Sequence, residues 1–233
     1  MLPDLYRSNQ LLSSRITNSK LSYMECIDAF AEYLKSFAFF SLSDLDNLHR
    51  YWDYSTARKN KKIIIPNHVC HDLKFICKGH AKYYTEDDKG KYMLAFISDF
   101  QFCAHVESFY NQTETNNGAI GTTDIYGLRI THSNFQKLLK DRPAFEQFFK
   151  KLIFDELSYL KDRVKALLSL DAKERYHLLE SELPDLFDHF KLVDISNYLG
   201  IKPETLVRLR KSNSIPKIQP LKALHIAANF HTE

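Results

Sequence analysis

Few folds accommodate the stretch from Asp194 to Lys211, Asp-Ile-Ser-Asn-Tyr-Leu-Gly-Ile-Lys-Pro-Glu-Thr-Leu-Val-Arg-Leu-Arg-Lys. Ile195, Leu199, Ile201, Leu206 and Leu209 are spaced to bury against one another as two short helices. Gly200 falls between the two apolar clusters, where a tight helix-to-helix turn needs a residue tolerant of positive φ. Pro203 suits the first position of the second helix, because no backbone donor is lost there. Lys202, Glu204, Thr205, Val207, Arg208 and Lys211 are left pointing outward. Such a set can contact base edges and phosphates. An alternative treats Glu204 and Arg208 only as a surface pair one helical turn apart.

Local charge favours the nucleic-acid reading. The whole chain of 233 residues carries a net charge of only +3, so any attraction to phosphate must be local. Between Lys202 and Lys217 the cations Lys202, Arg208, Arg210, Lys211 and Lys217 face a single carboxylate, Glu204. That asymmetry fits a DNA-reading element inside a near-neutral protein.

Upstream, the period of the pattern changes twice. Residues 1–22 read as a polar extension, and Ile27, Phe30, Leu34, Phe37, Leu42, Leu45 and Leu48 suggest two short helices after it. A charged connector, Arg58 to Lys62, leads into segments of period 2. Leu73, Phe75 and Cys77 share one face, as do Tyr92, Leu94 and Phe96. Ala119 to Ile130 adds one or two more strands. Five of the six glycines (Gly79, Gly90, Gly118, Gly121 and Gly127) lie in this region. Short strands with regular turns predict a β-sandwich or a small jelly roll, of which the jelly roll, a double-stranded β-helix, is the expected fold.

From about Ser133 the period becomes helical. A helix starting near Asp141-Arg-Pro143 meets no breaker until about Leu170. Phe149, Ile153, Leu157, Leu160, Val164 and Leu167 form one apolar stripe along it. Phe145, Phe148 and Phe154 lie on other faces and are expected to pack back on the roll. A helix apolar on more than one side needs two neighbours, and a second copy of the chain supplies one. The fold class is therefore α+β. Its expected units are an extension (1–22), a β-roll (23–141), a dimerisation helix (142–170) and a helix-turn-helix domain with an unusual tail (171–233).

This order of parts resembles the Crp/Fnr family of bacterial transcription regulators over roughly residues 24–212. Glu174-Arg-Tyr176, the Leu199-Gly200 turn and Pro203-Glu-Thr-Leu-Val-Arg208-Leu-Arg210 carry the likeness, in the variant common among Bacteroidetes-type bacteria. Lys78-Gly79 and Asp88-Lys-Gly90 match the family's turn glycines. The resemblance implies a homodimer on palindromic double-stranded DNA, with RNA polymerase as a further partner. It gives Glu204 and Arg208 the base-reading role and leaves Thr205 and Lys211 to phosphates. Val207 would touch a thymine methyl, and Pro203 removes a third reading side chain.

Phe100 to Phe109 sits where the family carries its phosphate-binding cassette, which assigns Phe102, Cys103, Ala104, Glu107 and Ser108 to an effector pocket. The glycine-glutamate pair of cyclic-nucleotide binders is replaced by Cys103-Ala104. No arginine occurs between Phe100 and Leu128, and a buried phosphate without a guanidinium is an unpaired charge. Cyclic AMP held in the usual way is not expected; a different, unidentified small-molecule effector, or none, is the expectation. Cys26, Cys70, Cys77 and Cys103 lack the spacing of an iron–sulfur or zinc site. His68, His71, His80 and His105 leave haem open.

The competing reading is a cupin-like metal protein or enzyme using His68, Cys70, His71, His80, Cys103, His105 and Glu107, with Cys103, His105 and Glu107 on one extended strand. No nucleophile triad, phosphate loop or zinc-protease motif supports an enzyme, and no cofactor is predicted. Without an apolar run of about 20 residues or a signal peptide, the expected location is the cytoplasm. Residues 212–233 hold Pro216, Pro220 and a weakly helical Leu221–Ala228, where the family often has a β-hairpin wing.

Overall fold

The alternating segments pair as two four-stranded antiparallel sheets. The computed structural model describes residues 20–183 and 185–211. Its strands are β1 (Asp53–Ala57), β2 (Lys62–Ile64), β3 (His68–Val69), β4 (Asp72–Lys78), β5 (Ala81–Asp87), β6 (Gly90–Ile97), β7 (Gln101–Cys103), β8 (Glu114–Thr115), β9 (Asn117–Gly121) and β10 (Ile125–Thr131). One sheet has the order β1-β10-β4-β7, the other β2-β9-β5-β6, and β3 pairs with β8. Neighbours far apart in sequence give the crossed connections of a jelly roll.

An amphipathic helix, α1 (Tyr23–Lys35), starts at a capping box between Ser22 and Glu25 and covers the first sheet. It buries Cys26, Ile27, Phe30, Tyr33 and Leu34. Phe30 meets Trp52 at 4.7 Å and Phe75 at 4.6 Å between ring centroids. Strand β4 is therefore buried on both faces: Leu73, Phe75 and Cys77 on one, Ile76 on the other.

The charged connector is a tight turn leading from β1 into β2, with Lys61 N–H donating to Arg58 O and Asn60 at φ +66°. One local reading needs correction: Tyr92, Leu94 and Phe96 do not share a face. Pairing of β5 with β6 passes from Tyr83–Ala95 to Tyr84–Met93 and skips Leu94. That bulge flips the face, so Met93 and Phe96 are buried and Tyr92 is exposed.

After α2 (Leu42–Leu45) and α3 (Val106–Asn111) within the roll, the chain becomes helical. It forms α4 (His132–Asp141), α5 (Ala144–Ser169), α6 (Ala172–Glu182), α7 (Leu186–His189), α8 (Leu192–Leu199) and α9 (Pro203–Lys211). One apolar core fills the roll, α1 and the first turns of α5. A second core spans both halves of the molecule, joining Tyr84, Met93 and Phe96 of the roll to Tyr176, Leu186, Phe190, Ile195, Tyr198 and Leu206. None of the described helices is long and apolar enough to cross a membrane.

Candidate nucleic-acid interface

Helices α8 and α9 are held by a short apolar seam and one glycine. Ile195, Leu199 and Leu206 are buried between them. Helix α8 ends in a Schellman motif: Gly200 N–H bonds to Asn197 O at 3.1 Å and Ile201 N–H to Ser196 O at 3.0 Å. Gly200 lies at φ +66°, ψ +35°. An added Cβ would meet only a Leu167 methyl at 3.9 Å, so the need for glycine is one of backbone conformation. Gly200→Ala should lower unfolding stability by roughly 1–2 kcal/mol in urea melts, and Gly200→Asn by less.

On α9, Lys202, Glu204, Val207, Arg208 and Lys211 are exposed and Thr205 is half-buried. Glu204, Arg208 and Lys211 recur at helical spacing on one face. Glu204 and Arg208 are not ion-paired with each other among the described residues. Arg210 is different, because its guanidinium lies over the Phe187 ring at 4.1 Å. It ties α9 to α7, while Arg208 stays available.

The helix pair is seated on the edge of the roll. Strand β6 is an outer strand of its sheet, so its outward amides need partners. Asn197 supplies them: its Oδ1 accepts from Met93 N–H at 2.6 Å and its Nδ2 donates to Lys91 O at 3.0 Å. Beside it, Lys82 Nζ sits 2.7 and 2.9 Å from the Asp194 carboxylate oxygens. From α5, Arg163 donates to Met93 O at 3.1 Å and Tyr198 O at 3.2 Å, with its guanidinium 3.6 Å over the Tyr198 ring. The Tyr159 and Tyr198 hydroxyls share a hydrogen bond. Sequence reasoning missed Lys82, Arg163 and Asn197, since each contact joins residues distant in the chain.

Of the residues expected around an effector, Phe102, Cys103 and Ser108 serve internal packing. Phe102 lies 5.1 Å from Phe75, 5.8 Å from Phe148 and 6.2 Å from Phe149. Cys103 is buried, which pushes its thiol up to about 12. Ser108 Oγ accepts from Cys70 N–H and donates to Thr113 O, while Glu107 is exposed. Ala104 is half-buried after β7. A cleft of about 100 Å³ opens elsewhere, lined by Ser55, Thr56, Lys62, Lys74, Ile76 and Gly127 among others. Pockets that enclose a small molecule run to roughly 300–1,000 Å³.

The shared strand on which the metal alternative rests is not formed. Strand β7 stops at Cys103 and α3 begins at Val106, so Cys103, His105 and Glu107 do not share an extended strand. His105 instead caps α3, its Nδ1 accepting from Ser108 N–H at 3.0 Å. No group of three or more His, Cys, Asp or Glu converges on a common point among the described residues.

Helix α5 has 26 residues and is about 39 Å long. Two expectations for it need correction. Phe149 is 8% exposed and belongs to the roll core with Phe145 and Phe148. Phe154 was expected to pack on the roll but is 66% exposed, because the roll ends beneath the first turns. Ile153, Leu157, Leu160, Val164 and Leu167 are exposed in a continuous row, with Leu168 beside them. Lys217 and the rest of the 212–233 segment lie outside the described residues, as do residues 1–19.

No sequence-family profile and no curated protein sequence matches the chain. Solved structures match it in fold. CLP of Xanthomonas campestris, a c-di-GMP-responsive global regulator, superposes with a TM-score of 0.61 at 13% identity, covering 73% of this chain and 90% of that one. FixK2 of Bradyrhizobium japonicum gives 0.60 at 17% identity, covering 69% and 83%. A Crp/Fnr-family regulator from Eubacterium rectale gives 0.58 at 17% identity, covering 75% and 87%. The chain has the Crp/Fnr fold, a cyclic-nucleotide-binding-type roll followed by helices.

Proposed function

We propose that the protein is a sequence-specific transcriptional regulator of Crp/Fnr type, a homodimer that reads palindromic DNA through α9. The observation that carries this reading is the open face of α9, with Glu204, Arg208 and Lys211 exposed on a helix whose other side is buried. Arg208 would read guanine O6 and N7 with two donors, and Glu204 would accept from a cytosine amine. Thr205, Lys202 and Lys211 would hold phosphates, and Val207 a thymine methyl. A two-fold dimer demands half-sites about one turn, ~10–10.5 bp, apart. RNA polymerase is the expected further partner, and the cytoplasm the expected place of work. The aromatic packing around Phe102 argues against a cyclic nucleotide held in the usual way.

Selection from a random DNA pool at two salt concentrations tests the reading without an added effector. An enriched palindrome bound less tightly at high salt is the expected result. Failure to enrich any sequence, with and without cell extract, would reject it. Arg208→Ala should then cost roughly 1–3 kcal/mol and relax preference at one guanine. An equal loss on every sequence would make Arg208 a phosphate contact only.

A further inference from the structure

One link between the roll and the helix-turn-helix domain differs chemically from the rest. His80, in the turn between β4 and β5, lays its imidazole on that of His189 at the end of α7. The ring centroids are 3.6 Å apart and the planes 22° from parallel. Phe190 stands edge-on to His80 at 6.0 Å. The His80 backbone N–H donates to Thr123 Oγ1 at 2.8 Å, which fixes the turn to the roll. Two neutral imidazoles stack as other flat rings do. A charged ring at this place has lost much of its water, with a second imidazole stacked on it.

We propose that the His80–His189 stack is a proton-sensitive latch between the roll and the helix-turn-helix domain, closed while His80 is neutral and released when it is protonated. The latch itself stands on these contacts; its consequence for DNA rests on the DNA-reading role proposed above.

The groups facing His80 come from both sides. Burial opposes its charge most and His189 next, while Asp99 of the roll and Asp185 ahead of α7 favour it. The Lys82–Asp194 pair bridges the same two domains from the neighbouring strand. The balance lowers His80 from 6.5 to about 4. Above pH 6.5 neither the docked nor the undocked form holds the proton, and docking is at full strength. Between 6.5 and about 4 the undocked form takes a proton that the docked form refuses, so docking weakens as pH falls. At pH 5.5 the loss is about tenfold relative to pH 7.5.

Hydrogen exchange of the full chain at pH 7.5 and 5.5, corrected for intrinsic rates, reads the latch directly. Protection of α8 amides should fall about tenfold at pH 5.5 while β4 amides keep theirs. His80→Phe retains a flat ring without a titrating group and should show no such fall. A wild-type fall shared equally by β4 would mean global destabilisation and would overturn the proposal. So would an unchanged pH response in His80→Phe. Should that variant fail to fold, an NMR titration of the wild-type His80 ring decides: a midpoint near 4 supports the latch and one near 6.5 rejects it. Binding of the selected duplex at both pH values extends the test to DNA. Absence of binding by either protein at any pH would reject DNA reading and leave the exchange result standing.

Discussion

Leu160→Glu is expected to turn the proposed dimer into a monomer at micromolar concentration. Ile153, Leu157, Leu160, Val164 and Leu167 are each between 42% and 57% exposed on α5, far more than the core residues two turns earlier. Burying one leucine against a second copy contributes about 1.5–3 kcal/mol, and a two-fold interface loses that contribution twice. The new carboxylates would also be buried near each other without a cation, which adds to the loss. Together these should raise the dimer dissociation constant at least ~100-fold. Sedimentation velocity measures it, with Ser158→Glu as a control, an exposed position away from the row. A Leu160→Glu protein that sediments as an intact dimer would place the interface elsewhere. On a palindromic duplex the monomer should bind each half-site independently, with loss of cooperativity.

The helix-turn-helix was legible because its determinants are local. Gly200 at positive φ and the Ile195, Leu199 and Leu206 spacing are all contained in the short stretch from Ile195 to Leu206. The long helix was legible for the same reason, but its period names a face without naming what covers that face. Phe149 and Ile153 share the stripe, yet the roll covers the first and ends before the second. Strand content could be read from alternation, whereas the bulge at Leu94 could not, because the register is set by β5 on the far side of a turn. The effector segment shows a different limit. Its sequence position matches the cassette of the resembling family, but Phe102, Cys103 and Ser108 are occupied with neighbours drawn from β4, α5 and the loop after α3. Side-chain partners across domains leave no periodic trace.

Arg163→Ala should loosen the helix-turn-helix domain from the roll without touching the core of the roll or the reading face. Arg163 is the point where three elements meet: its guanidinium bonds to Met93 O on β6 and Tyr198 O on α8 and covers the Tyr198 ring, from a base on α5. Tyr198 lies in the last turn of α8, where carbonyls lack intrahelical partners and a cation is favourable. Hydrogen bonds to a charged donor contribute about 1.5–3 kcal/mol each, and a cation over a ring about 0.5–2. Arg163 is half-buried, so solvent screens part of this, and a loss of roughly 2–4 kcal/mol is expected. Lysine offers a point charge in place of the planar fork, so Arg163→Lys should recover less than half. In urea melts the wild type should unfold in one transition, because the second core joins both domains. Arg163→Ala should separate an early transition, read by exchange of α8 amides, from a later one of the roll. Coincident transitions at the wild-type midpoint would mean that Lys82–Asp194, Asn197 and the Phe96 cluster hold the domains together without it.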